Sequence, residues 1–224
     1  MKSTVDLVRR LRNLFTPIVS DTLDEMGITR NAFSHEIRPI LPKIKVAGTA
    51  FTARTERYDV FTKSDISEWL RVMIRMLEAS KKGDIFVVST DNTVGAASWG
   101  ELMSNAAYAR GAQGAVTDGA VRDVPRILSM SSPFQVYARA YTPADSKGRL
   151  KYVEYSLPVE CGGIKVSPED LIFGDLDGVI CIPRSDASTV IHRSEEKLEK
   201  ENDFRRAVRR GVSVSEAFAK YKTF

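Results

Sequence analysis

Apolar residues recur at helical spacing over residues 4–15, where Val5, Leu7, Val8, Leu11, Leu14 and Phe15 mark a helix and Ser3 with Asp6 is placed as a capping box. Pro17 after Thr16 opens a second short helix, which Met26-Gly27 closes. The period then shortens, and residues 44–54 read as a strand interrupted at Gly48. Ser64 or Asp65 caps a longer helix carrying Ile66, Trp69, Leu70, Met73, Ile74 and Leu77; Lys81-Lys82-Gly83 stops it with cations and a glycine. Ile85-Phe86-Val87-Val88 is apolar throughout, the mark of a strand buried on both faces. An alanine-rich helix over 104–110 and a short buried strand, Ala115-Val116-Thr117, follow. Further strands are predicted at 134–138, 151–159, 163–166, 171–173 and 179–182, with Gly, Pro and Asp in the turns. From Ser185 the chain reads as helix, with Ala187, Val190, Ile191, Leu198 and Phe204 as a narrow apolar stripe. Ser213 or Ser215 caps its last turn.

Helices at both ends around a mixed middle predict an α/β fold, compact and layered, with N-terminal helices and a C-terminal helical tail from about 185. All 224 residues are expected to form one domain. At 43% hydrophobic residues the chain has enough apolar surface for a full core. No run approaches a membrane span and the N-terminus has no signal-like apolar core, so a soluble cytoplasmic protein with no membrane partner is expected. The 33 cations and 29 anions are mixed along the chain, a balance that gives no reason to expect nucleic acid. Arg205-Arg206 and Arg209-Arg210 read as a solvated helix face, and Asp21 as a helix-start or interface residue.

Several chemistries lack their residues. Cys161 and Cys181 are too far apart for a C-x-x-C site and read as buried apolar side chains. The two histidines, His35 and His192, leave no Ser-His-Asp, Cys-His or histidine-zinc arrangement. There is no G-x-G-x-x-G and no P-loop, so dinucleotide chemistry and methyl transfer to a quinone find no support. Neither Lys43 nor Lys45 stands beside residues suited to Schiff-base chemistry.

What remains lies between Trp99 and Asp123. Gly100-Glu101-Leu102-Met103 opens a helix, and Asp118-Gly119-Ala120-Val121-Arg122-Asp123 ends a strand that returns to it, with twenty residues between Glu101 and Arg122. Free N–H groups at a helix start then face a guanidinium and a carboxylate, a combination suited to an anion and a divalent cation.

These residues resemble the site motif of the class II pyruvate aldolases that cleave 4-hydroxy-4-methyl-2-oxoglutarate. That family shares its fold with regulators of ribonuclease E activity, and its members were often labelled demethylmenaquinone methyltransferases. The resemblance extends to Ile18-Val19-Ser20-Asp21-Thr22-Leu23, Cys161-Gly162-Gly163-Ile164-Lys165-Val166, Asp170-Leu171, Gly174-Asp175-Leu176-Asp177-Gly178-Val179 and the tail around Lys200-Glu201-Asn202 and Arg210-Gly211, roughly residues 4–222. It implies a layered, swivelling-type β/α domain and a metal-dependent lyase that also decarboxylates oxaloacetate. The amides of Leu102 and Met103, following Gly100, would hold the pyruvyl carboxylate with Arg122. Asp123 would bind Mg²⁺ or Mn²⁺, with Glu101 reaching the metal's water shell. It also implies a trimer or hexamer whose sites lie between subunits, completed by Glu201 or Glu199 from a neighbour's tail. Two positions depart from the family's motif: Arg126 stands where an acid is usual, and Glu101 where Asp is. The alternative within the same resemblance is a non-catalytic, protein-binding regulator; such regulators typically lack the acid after the arginine, so Asp123 argues for an enzyme.

Overall fold

The computed structural model describes residues 3–58 and 63–223. In chain order its elements are α1 (Thr4–Leu11), α2 (Thr16–Glu25), β1 (Arg38–Pro39), β2 (Val46–Arg57), α3 (Lys63–Ala79), β3 (Asp84–Ser89), β4 (Ala97–Trp99), α4 (Glu101–Ala109) and β5 (Gly114–Val121). There follow α5 (Val124–Leu128), β6 (Gln135–Tyr141), β7 (Leu150–Tyr155), β8 (Val159–Cys161), β9 (Ile164–Val166), β10 (Leu171–Gly174), β11 (Val179–Ile182), α6 (Ala187–Arg209) and α7 (Val214–Tyr221). The cap expected for α3 falls at the edge of the described residues, and the side chains of Ser64, Asp65, Ile66 and Trp69 lie outside them.

Among the described residues nine strands form one mixed sheet in the order β1-β6-β5-β3-β2-β10-β11, with β4 added to β5 and β7 to β2. The centre is parallel, β2 beside β3, β3 beside β5 and β5 beside β6. The flanking pairs run antiparallel. β8 and β9 form a separate hairpin. Alternation along β3 explains its unbroken apolar run: Phe86 and Val88 pack on one face with Met76 and Leu77 of α3, Ala107 of α4 and Trp99 of β4. Ile85 and Val87 pack on the other with Val159, Cys161 and Ile164 of the hairpin. A third cluster joins α1, α2 and α6 to β10 and β11 through Leu11, Ile18, Leu23, Phe173, Val190 and Ile191. The expected layered α/β fold with N-terminal helices and a helical tail is the one observed.

Several boundaries differ for physical reasons. Gly48 does not interrupt β2; a Cβ there would overlap the Gly83 carbonyl oxygen, so the glycine admits close backbone approach within a continuous strand. The predicted strand 151–159 is two strands, split at Ser156, whose φ of 61° turns the backbone. The tail breaks at Gly211 (φ 91°), and Ser213 caps α7 in a reciprocal capping box with Glu216. The first half of α6 is held by α1 and α2 of the same chain: Ser194 bonds Thr22, Glu195 pairs with Arg10, and Lys197 bridges Asp21 and Glu25. Among the described residues no helix is long and apolar enough to cross a membrane.

Candidate active site

β5 is buried at all eight positions, and Arg122 follows where the chain leaves the sheet. The Arg122 amide donates to the Trp99 carbonyl at 3.0 Å, so the end of β5 is tied to the end of β4. Trp99 is itself fixed, packed between Phe86 and Phe134, with Nε1 donating to Ser104 Oγ at 2.9 Å. Ser104 Oγ donates in turn to the Gly100 carbonyl at 3.0 Å. This chain of contacts sets the first turn of α4 beside the Arg122-Asp123 corner.

Gly100 is the N-cap of α4, with no side chain to cap the helix. A Cβ on it would stand 3.1 Å from Asp123 Oδ2 and 3.3 Å from Arg122 Cγ, so glycine allows the corner to come this close. The amides of the first turn have no carbonyl partner within the helix. That of Glu101 donates to Asp123 Oδ2 at 3.5 Å, and, among the described residues, those of Leu102 and Met103 are left open. Asp123 holds a left-handed conformation, φ 59° and ψ 27°, which a short polar side chain tolerates better than most. This kink starts α5 at once and throws the carboxylate back towards α4. Arg122 Nε lies 3.6 Å from Asp123 Oδ2, and its Nη1 lies 3.3 Å from Asp145 Oδ2.

These groups line one cavity of about 320 Å³, at the small end of ligand pockets. Gly100, Leu102, Met103, Arg122 and Asp123, all singled out from sequence, share it. Glu101 is not among the lining residues: its amide donates to Asp123 Oδ2, and its carboxylate accepts from Asn105 Nδ2 at 2.6 Å. Arg126 is exposed on α5 and does not line the cavity either. Glu201 pairs with Arg205 one turn along α6. Asp145, Ser146 and Lys147, from the β6–β7 loop, complete the wall. Sequence reading missed them: the loop has ordinary turn composition, and nothing in the spacing ties it to Arg122.

Larger hollows carry other chemistry. One of about 540 Å³ contains Arg54, but Glu154 and Glu56 already occupy that guanidinium. Cys161 is fully buried, its thiol pushed up by burial first and by Asp118 second, and Cys181 is raised likewise by burial and Asp170. Both are the inert apolar side chains the sequence suggested.

Residues 16–181 match the RraA-like family model described as Aldolase/RraA. A protein of Halalkalibacterium halodurans, provisionally named a 4-hydroxy-4-methyl-2-oxoglutarate aldolase, is 29% identical over 97% of this chain and 95% of its own. An uncharacterized protein of Methanocaldococcus jannaschii is 32% identical over 80% of each. Among solved structures, Streptomyces coelicolor RraAS2, described as an unusual member of the RNase ES inhibitor RraA protein family, superposes with a TM-score of 0.78 at 26% identity. It covers 92% of this chain and 98% of its own.

Proposed function

The chain belongs to the RraA-like, Aldolase/RraA family, and on that premise we propose that it is a divalent-metal-dependent lyase. Its substrate is a 4-hydroxy-2-keto acid of the 4-hydroxy-4-methyl-2-oxoglutarate type, cleaved to pyruvate, and it decarboxylates oxaloacetate at the same site. The observation that carries this reading is the meeting of an arginine fork, a hard carboxylate and an open helix start in one cavity. A 2-keto acid presents a planar carboxylate; the Arg122 guanidinium and the amides of Leu102 and Met103 are donors suited to grip it.

The donor set fits Mg²⁺ or Mn²⁺. Such cations take hard oxygens, keep several waters and use one or two carboxylates rather than a full protein cage. Among the described residues no three His, Cys, Asp or Glu side chains form a metal cluster; of the two acids that line the cavity, Asp145 pairs with Arg122 from the β6–β7 loop and Asp123 stands beside the helix start. Asp123 would hold the ion, and Glu101, on exchanging Asn105 for water, would serve its hydration shell. When bound, the cation supplies Lewis-acid stabilisation of charge developing at the 2-keto oxygen. Loss of the C4 fragment or of carbon dioxide leaves the same pyruvate enolate, so Arg122 and the α4 amides hold one and the same fragment in both reactions.

The site is proposed to lie between subunits of a trimer or hexamer. Leu102, Leu128 and Tyr141 are exposed apolar side chains on the elements that carry the site, and Val214 and Phe218 are exposed on α7. A cyclic assembly would cover both sets and bring a tail glutamate, Glu201 or Glu199, to a neighbouring Asp123.

The test is pyruvate release, coupled to lactate dehydrogenase, from oxaloacetate and a panel of 4-hydroxy-2-keto acids with and without Mg²⁺. Metal-dependent release supports the lyase. No release from any of them overturns it and favours the second reading, a protein-binding regulator, which rests on the likeness to the Streptomyces protein.

A further inference from the structure

We propose that Asp145 is a positioning residue: it holds the Arg122 guanidinium in the orientation that receives the substrate carboxylate. The inference rests on the lyase reading for its substrate and on the β6–β7 loop for its geometry. The loop is built onto both strands that carry the site. The Thr142 amide donates to the Val121 carbonyl at 3.0 Å, and the Ala97 amide of β4 donates to the Ala144 carbonyl at 2.9 Å. Asp145 therefore stands on the same frame as Trp99 and Arg122.

Its two carboxylate oxygens do different things. Oδ1 accepts from Ser146 Oγ at 3.2 Å and from the Lys147 amide at 3.4 Å, which closes the turn on itself. Oδ2 faces Arg122 Nη1 at 3.3 Å. With Asp123 at Nε and Asp145 at Nη1, the guanidinium is held from two sides, and neither pair uses Nη2. An arginine carrying only the Asp123 contact would pivot about one end of its fork. Held at both ends, its plane is set relative to the α4 amides before substrate arrives.

Two effects of removing the Asp145 charge have opposite signs, and this makes the idea sharp. Electrostatics alone predicts tighter binding of an anion, because a negative charge leaves the cavity. Positioning predicts weaker binding, because the fork is released. Asp145→Asn separates the clamp from the turn: an amide oxygen still accepts from Ser146 and Lys147, so the loop keeps its shape while the charged contact with Arg122 goes.

The experiment compares wild type, Asp145→Asn and Asp145→Ala in the Mg²⁺-loaded protein, with calorimetric titration of pyruvate beside KM and kcat on oxaloacetate. Asp145→Asn should raise the pyruvate Kd and the KM about two- to fivefold, the range of an ion pair half open to water, with kcat and the melting temperature little changed. Asp145→Ala should weaken binding at least as much and also lower the melting temperature. An unchanged or lowered Kd and KM in Asp145→Asn overturns the proposal while leaving the lyase reading in place. Weakened pyruvate binding by Asp145→Asn, in a wild type that turns no keto acid over, keeps the clamp and overturns the lyase. A wild type that neither binds pyruvate nor releases it overturns both.

Discussion

Replacing Arg122 by lysine keeps the positive charge and removes the fork. In the folded protein the guanidinium meets Asp123 at 3.6 Å and Asp145 at 3.3 Å with a third of its side chain exposed. Pairs this open to water contribute at most about 1 kcal/mol each to folding. For a chain of this size about 1 kcal/mol moves the melting temperature by roughly 2–4 °C, so Arg122→Lys should fold and melt within several degrees of wild type. The proposed substrate contact loses more. A carboxylate gripped by two N–H groups keeps one, and a hydrogen bond to a charged group contributes about 1.5–3 kcal/mol. At about 1.4 kcal/mol per factor of ten, kcat/KM should fall by about one to two powers of ten. The assay is Mg²⁺-supported oxaloacetate decarboxylation, with a thermal melt on the same sample. An unchanged kcat/KM refutes a substrate contact at Arg122, and a fall matched by collapse of the melting temperature refutes the division between fold and function.

Chelation should abolish turnover and Mg²⁺ or Mn²⁺ should restore it; full activity in chelator, with a borohydride-trapped pyruvate adduct, would demand a Schiff-base lysine instead. Asp123→Asn should lose metal-supported activity yet melt near wild type, because Asn tolerates the same left-handed backbone; near-normal rates at saturating metal would assign the ion to another ligand. Ending the chain after Leu198, beyond the contacts of α6 with α1 and α2, should weaken assembly and activity together, read by sedimentation beside the decarboxylase assay. A truncated chain that stays oligomeric and active removes the tail from the mechanism. Cys161 and Cys181, protonated and buried, should resist a thiol reagent at neutral pH until the protein is unfolded; rapid labelling of native protein would contradict their burial.

The legible parts of the chain were those whose own periodicity decides their state. β3 announced itself because burial on both faces demands an unbroken apolar run, and α2 because Pro17 and Gly27 bracket it. β4 has three residues and forms its ladder with the end of β5, too short for any period to register. α5 lasts five residues with Pro125 as its second, and its start depends on a backbone turn at Asp123 that composition does not encode. Within the site, Gly100, Leu102, Met103, Arg122 and Asp123 were found because one helix and one strand carry them. Asp145 was not, because a loop more than twenty residues away reaches Arg122 only through the fold. The tail's narrow apolar stripe rests on α1 and α2 as far as Leu198, a pairing that sequence periodicity has no means of assigning.

The left-handed backbone at Asp123 also bears on how such a chain can change by mutation. From an aspartate codon, single-base changes reach asparagine and glycine, the two other residues at ease with this backbone, as well as alanine and valine, for which it costs about 1–2 kcal/mol. The acid proposed to hold the metal can thus be lost in one nucleotide step with little penalty to folding, and regained in one. Chemistry at this corner is separable from the fold that presents it. A duplicated copy could shed the proposed turnover while keeping its surface, and a binding-only descendant would still have the same backbone geometry.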